Sequence, residues 1–412
     1  MSFYIKNNFV LFGISFLLLA PVALETFQVS SKPVFFVLSD FLIIIISILF
    51  FCHLIVQKGK FKFEKYSRYV MFCIVGLFIL GLLGAIRLGE LTPLLSSIKL
   101  FKSFLFFLIG YYLASRLNIK LFIKSLSLTS LIIICILVIS DVIWGSFPIP
   151  RLGGYFFHFE VYGFPNSPAV FYTVLFSLVF LGGMQANGIR SYSYFLFSIV
   201  ISVIIVATLS RAAMLNLMIY IMLMFLLRRK GFGIYLCFLS GFFLILLSFL
   251  WVNHPELISG LANKFAKFEQ GKDASNGRFE IWFTALDLFS KSPIWGYLFE
   301  PFSNYDTHDT PHNQNIEVIF KGGLLGALFY YTPLFLSFMF IWSKRLLVID
   351  KELRGFVYCY LCLVVSIFIT NNFQPNFSYT PTGSILFFFS GFLVKVILKR
   401  ENEKFDKGCV LT

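Results

Sequence analysis

The sequence predicts an all-α, polytopic integral membrane protein, and three observations carry that prediction. Hydrophobic residues make up 58% of the 412-residue chain and charged residues only 13%, against roughly 25% charged residues in soluble domains. Apolar runs of spanning length, about 17–25 residues, recur from end to end. The Lys and Arg residues collect in the short loops between alternate runs. No hydrophilic block is long enough to form a soluble domain, so residues 1–412 read as a single transmembrane domain. One larger loop, 253–315, lies within it.

The runs fall at 9–25, 34–56, 69–88, 97–115, 125–145, 168–185, 193–209, 212–228, 231–252, 316–342, 356–371 and 383–398, roughly twelve spans in all. The first run has the look of a secretory signal. Ala20-Pro21-Val22-Ala23 is a poor cleavage site, however, and the run is assigned as a helix. The seventh and eighth runs nearly abut and predict a tight helical hairpin. A cytoplasmic N-terminus puts loops 57–68, 116–124, 186–192, 228–230, 343–355 and the tail from Lys395 on the cytoplasmic side. Together these hold most of the 34 Lys and Arg, as the positive-inside rule requires. Both termini are then cytoplasmic and loop 253–315 is extracytoplasmic. The same rule accounts for the net charge of +14, so no nucleic-acid partner is implied.

Cysteine usage adds little chemistry. Six of the seven lie in or beside apolar runs, and the loops placed outside the cytoplasm have none, so no disulfide framework is expected. Cys359 and Cys362 form a C-x-x-C without histidine or acidic neighbours. They read as two packed membrane cysteines.

Loop 253–315 divides into a polar stretch to Asn276, a helix-like stretch and a polar turn ending at His312. Phe279, Trp282, Leu286 and Phe289 recur at helical spacing, with Asn276 as N-cap and Ser292-Pro293 as the stop. Such a helix lies at the membrane interface with its apolar face towards lipid.

Three arginines break the positive-inside pattern: Arg151, Arg211 and Arg278. A guanidinium fork suits bidentate binding of phosphate; snorkelling to lipid headgroups is the plainer alternative. The segment Tyr305-Asp306-Thr307-His308-Asp309-Thr310-Pro311-His312-Asn313-Gln314-Asn315 offers two imidazoles. Pro311 keeps His308 and His312 off a common helical face, which argues against a metal site. A general base is one reading of such a histidine and a polar turn without chemistry is the other. Glu317 and Lys321, four apart, should pair. Gly322 and Gly326, also four apart, should admit a close helix neighbour. No phosphate-binding loop or dinucleotide fingerprint is present, which argues against a nucleotide-driven mechanism.

Ser210-Arg211-Ala212, Gly277-Arg278-Phe279-Glu280-Ile281-Trp282 and Lys291-Ser292-Pro293-Ile294-Trp295-Gly296 resemble motifs of the O-antigen ligase and O-antigen polymerase family. So do Pro311-His312-Asn313-Gln314-Asn315 with Lys321-Gly322-Gly323-Leu324-Leu325-Gly326, and the Arg151-to-Asn166 loop. The motif similarity covers 205–330. The resemblance implies a GT-C-like membrane glycosyltransferase of the bacterial inner membrane, active on its outer face in surface-polysaccharide assembly. The implied donor is a glycan on undecaprenyl diphosphate, and the implied acceptor a glycan or lipid A-core. Membrane lipid and a chain-length regulator are further implied partners, and no cofactor or metal is implied. By resemblance Arg211 and Arg278 bind the diphosphate, and His312 is the catalytic histidine, as base or as a further diphosphate contact. Arg151, Asn166 and Asn313 are weaker substrate-binding candidates. The short separation of Arg278 from His312 favours a repeat-unit polymerase slightly over a ligase that docks lipid A-core.

Two other classes fit many membrane helices. A transporter or flippase of lipid-linked oligosaccharide would place carboxylates near the bilayer midplane, often in repeated halves. Asp40 and Asp141 are the residues that would serve it, and no half-repeat is visible. A non-catalytic scaffold or sensor would leave Arg211, Arg278 and His312 dispensable.

Overall fold

The computed structural model of the chain describes residues 7–20, 23–29, 32–37, 45, 64–144, 155–156, 159–160, 166–208, 210–227, 241, 277–308, 310–348, 350–373 and 382–408. Helices dominate them: α1 (Asn8–Leu19), α2 (Lys65–Leu88), α3 (Thr92–Ala114), α4 (Ile119–Trp144), α5 (Asn166–Gln185), α6 (Ile189–Ala207) and α7 (Arg211–Leu227). After these come α8 (Arg278–Lys291), α9 (Gln314–Lys344), α10 (Lys351–Thr370) and α11 (Thr382–Gly408). Seven of them, α2, α3, α4, α6, α9, α10 and α11, are long and apolar enough to cross a membrane. In hydrocarbon every backbone polar group needs an internal partner, which long apolar segments satisfy by becoming helical. The protein is a polytopic helical membrane protein.

Several expectations change. Of the roughly twelve expected spans, seven of spanning length lie among the described residues, with α1, α5 and α7 as shorter apolar helices. The run 9–25 stops as a helix at Leu19. Beyond it the chain pairs as an antiparallel hairpin, β1 (Ala23–Val29) with β2 (Lys32–Val37). The expected span 34–56 therefore opens as a strand. A second pairing joins β3 (Tyr155–Phe156) and β4 (Phe159–Glu160). A short apolar run cannot declare strand or helix by periodicity alone; pairing with a neighbouring segment decided this one. The expected span 231–252 lies outside the described residues except at Gly241, as does most of 38–63. So do residues 253–276 of the large loop, Arg151 and Asp40.

Polar contacts gather the loops expected to share a side at one end of the bundle. Lys395 pairs with Glu64 ahead of α2, and Lys120 of α4 reaches Glu352 of α10 at 3.4 Å. Gln185 at the end of α5 donates to the Glu352 carbonyl at 3.1 Å. Lys344 meets Glu401 at 2.7 Å and Arg400 meets Asp350 at 3.5 Å. The N-termini of α5, α7 and α9 and the C-termini of α2, α6 and α10 accordingly lie at the opposite end, where the chemistry-bearing residues sit.

Phenylalanine fills the core between these ends. Phe104 of α3 packs against Phe387 of α11 with ring centroids 4.8 Å apart, and Phe122 of α4 against Phe392 at 5.2 Å. A side chain at Gly110 would strike the Phe388 carbonyl, and one at Gly391 the Phe107 carbonyl. The two glycines thus let α3 and α11 touch backbone to backbone, as small residues do in membrane bundles. Cys359 and Cys362 are buried free thiols in α10.

Candidate functional site

Arg211 opens α7. The α6–α7 connection turns sharply, with the Thr208 hydroxyl bonded to the Ile205 carbonyl at 2.6 Å and accepting the Ser210 N–H at 3.3 Å. Ser210 then accepts the Ala213 N–H at 3.4 Å, acting as N-cap. The serine-arginine-alanine triplet therefore has a mechanical meaning. Serine caps, arginine occupies the first helical position, and alanine continues the turn. A cation at a helix N-terminus adds to the positive end of the helix dipole, so this placement costs stability and favours an anion.

Arg278 opens α8 in the same way. The cap is Gly277 in the left-handed region (φ 79°) rather than the expected Asn276. Its side chain, half-buried, donates from Nη1 to the Phe373 carbonyl at 2.7 Å, just past the end of α10. The Arg278 guanidinium is shifted below the usual arginine range, first by burial and then by the neighbouring charge of Arg211. Two like charges within each other's field, each at a helix N-terminus, are an arrangement that a bound anion relieves.

His312 is reached through Trp282, one turn along α8 from Arg278. The Trp282 Nε1–H donates to the Pro311 carbonyl at 2.9 Å, and His312 follows with φ 53°. A non-glycine residue in that region is strained and persists only where its surroundings over-determine it. Asn313 supplies the restraint. Its Oδ1 accepts the N–H groups of Asn315 at 2.9 Å and Ile316 at 3.2 Å, capping α9. The turn after α10 holds the same helix end. Gln314 N–H donates to the Asn371 carbonyl at 2.9 Å, and Asn315 Nδ2 to Asn372 Oδ1 at 2.8 Å. Arg278 and the His312 turn thus hang on one short segment, 371–373. That segment carried no signal in the sequence, because most of what it contributes is backbone carbonyl.

Trp282→Phe should remove this cross-link while keeping the ring. Expected is a loss of about 0.5–1.5 kcal/mol of stability, read as a lower melting temperature in detergent, with a fall in whatever turnover the site supports.

The foundation beneath the site is unusual. Helix α9 is broken at Gly323 (φ 61°, ψ −158°), and the stretch Pro293–Phe299 is wedged into the break. Leu324 N–H bonds the Pro293 carbonyl at 2.9 Å and Leu325 N–H the Ile294 carbonyl at 3.2 Å. Tyr297 N–H bonds the Phe320 carbonyl at 2.8 Å and Phe299 N–H the Lys321 carbonyl at 2.9 Å. Leu298 (φ 50°) and Phe299 (φ 66°) share the strained backbone of His312. The close approach expected at Gly322 and Gly326 is therefore corrected. Side chains there would meet only ordinary contacts at 3.7 Å or more, whereas one at Gly323 would collide with the Ile294 and Gly296 backbone. The neighbour is an inserted segment, and Gly323 is the residue that admits it. Lys321 and Glu317 do pair, at 2.5 Å.

A small core of Ile281, Ala285, Phe302, Ile316 and Phe320 joins α8 to the first half of α9. The opposite face of α8 leaves Phe279, Phe283 and Leu286 exposed, with Ile294 and Trp295 beyond its end. This apolar stripe suits a helix lying at a membrane interface. Of the remaining candidates, Asn166 is the first residue of α5 rather than a loop residue. Asp141 falls near the end of α4. Among the described residues no three His, Cys, Asp or Glu side chains converge as a metal site would need.

Helix content and apolar spans define an integral membrane protein, with Arg211 and Arg278 each opening a helix at one bundle end. A family model described as O-Antigen ligase matches residues 195–331, from within α6 to Tyr331 of α9, and includes Arg211, Arg278 and His312. Over that part of its length the chain is similar to the O-antigen ligase family. No curated protein matches the chain.

Proposed function

We propose that the protein transfers a glycan from undecaprenyl diphosphate to an acceptor sugar hydroxyl at the outer face of the bacterial inner membrane. The observation that carries this reading is the position of Arg211 and Arg278, each the first residue of a helix at the same end of the bundle. In the bond-breaking step the C1–oxygen bond to diphosphate opens and charge grows on the leaving phosphate. Guanidinium groups already fixed beside that phosphate stabilise the transition state more than the ground state. They supply the positive charge that a divalent ion supplies elsewhere. His312, tied to Arg278 through Trp282 and Pro311, is assigned to the same leaving group. Arg151 and Asn166 remain candidates for further donor contacts. The exposed stripe on α8 is where the polyprenyl tail would leave the site for lipid.

The acceptor is assigned as the growing glycan of a repeat-unit polymerase. The connection between α8 and α9 is compact and held by backbone bonds, which suits a slender carbohydrate acceptor better than lipid A-core. Purified protein in detergent, given the lipid-linked donor alone, is expected to build longer glycan, with the rate unchanged by chelator. Product formed only when lipid A-core is added would identify a ligase instead. Chelator-sensitive transfer restored by a divalent ion would overturn the arginine-only leaving-group site.

A further inference from the structure

The turn between α8 and α9 contains a second imidazole arranged differently from His312. The His308 Nδ1 lies 2.7 Å from Asp306 Oδ1. A carboxylate accepts at that distance, so Nδ1 carries the proton and Nε2 is left with its lone pair. Asp306 is itself fixed. Its N–H bonds the Phe302 carbonyl at 3.2 Å, and its Oδ1 also accepts the His308 N–H at 3.1 Å and the Thr307 hydroxyl at 3.4 Å. The His308 side chain is 45% exposed and that of Asp306 only 16%, so the carboxylate is the sheltered partner and the imidazole the presented one. Asp306 is held below the ordinary carboxylate range, mainly by its hydrogen bond to His308. The His308 ring stands edge-on to that of His312, centroids 6.5 Å apart. On the far side of Asp306, Tyr305 donates to Glu300 at 2.5 Å, and Glu300 pairs with Arg87 of α2 at 3.5 Å. The charges of that neighbouring group are thus already engaged.

We propose that His308, oriented by Asp306, is the general base that takes the proton from the acceptor hydroxyl, while His312 stays with the diphosphate. The assignment rests on the transferase reading above. In the step, the hydroxyl oxygen forms its bond to C1 and its proton passes to His308 Nε2. The C1–oxygen bond to phosphate breaks, and undecaprenyl diphosphate leaves with the bonding electrons. The imidazolium, stabilised by Asp306, then returns its proton to solvent. An orienting carboxylate, a fixed tautomer and an open Nε2 are the parts that a histidine base requires.

The test compares His308→Ala, Asp306→Asn and His312→Ala in detergent with the lipid-linked donor. His308→Ala is expected to lower kcat by on the order of 10²–10⁴-fold with the donor KM unchanged. Added imidazole should restore part of the rate in that variant and none in His312→Ala. Asp306→Asn should lower kcat less and displace the acid limb of the pH–rate profile. Wild-type kcat and an unchanged acid limb in His308→Ala would overturn the base assignment alone, as would loss of activity in His308→Ala that imidazole does not restore. No transfer by the wild-type protein would overturn the transferase reading and the base with it.

Discussion

Replacing Arg278 with Ala is expected to slow glycan transfer by on the order of 10²–10³-fold, the usual cost of removing one fixed donor from a site of developing negative charge. Arg278→Lys should recover only part of the loss, because lysine keeps the charge but not the planar fork that can hold the Phe373 carbonyl and a phosphate oxygen together. The measurement is steady-state turnover with the lipid-linked donor, alongside gel-filtration behaviour and a melting curve as folding controls. Arg211 gives the control on cause. Removing its charge takes away only the smaller cause of the Arg278 depression, burial being the larger, and Arg278 stays a full cation either way; Arg211→Ala should nonetheless lose activity. A folded Arg278→Ala protein with wild-type turnover would remove the arginines from the mechanism.

The second large effect is one of folding. Gly323→Val places a β-branched residue at φ 61° and drives its side chain into the backbone of Ile294 and Gly296. Strain at such a position costs about 1–3 kcal/mol, and overpacking about 1–3 kcal/mol more. The sum, about 2–6 kcal/mol, reaches the lower end of the roughly 5–15 kcal/mol stability of a folded domain. The expected result is little folded protein recovered in detergent. Gly326→Ala, three residues on and in open contact distance, should fold normally. Equal yields for the two variants would show that the wedge does not organise the site.

The helices were legible because hydrocarbon imposes a length. Runs at 69–88, 97–115 and 356–371 grow into α2, α3 and α10 by a few residues of polar cap, and Asp350 capping α10 at 3.1 Å is a side-chain effect that sequence does carry. Helix α8 was legible by its three- and four-residue spacing and its Ser292 stop, with only its cap misassigned by one residue. The two arginines stood out because charge on the wrong side of a membrane is costly, and the histidine only through the motif that surrounds it. What stayed hidden is non-local. Gly322-Gly323 reads equally as a packing notch or a break, and only the carbonyls of Pro293 and Ile294 decide between them. Trp282 read as part of an apolar face, although its N–H was a donor in need of a partner. The stretch 34–37 failed for the same reason: a strand is defined by what it pairs with.

The wedge in α9 has a mechanical consequence. Four main-chain bonds run from the loop after α8 across the break, two to each half of the helix. Tilting the bilayer-crossing half therefore drags the loop, and the loop drags the arginine. On the transferase reading proposed above, changes in bilayer thickness or lateral pressure that rock that half are expected to register at Arg278.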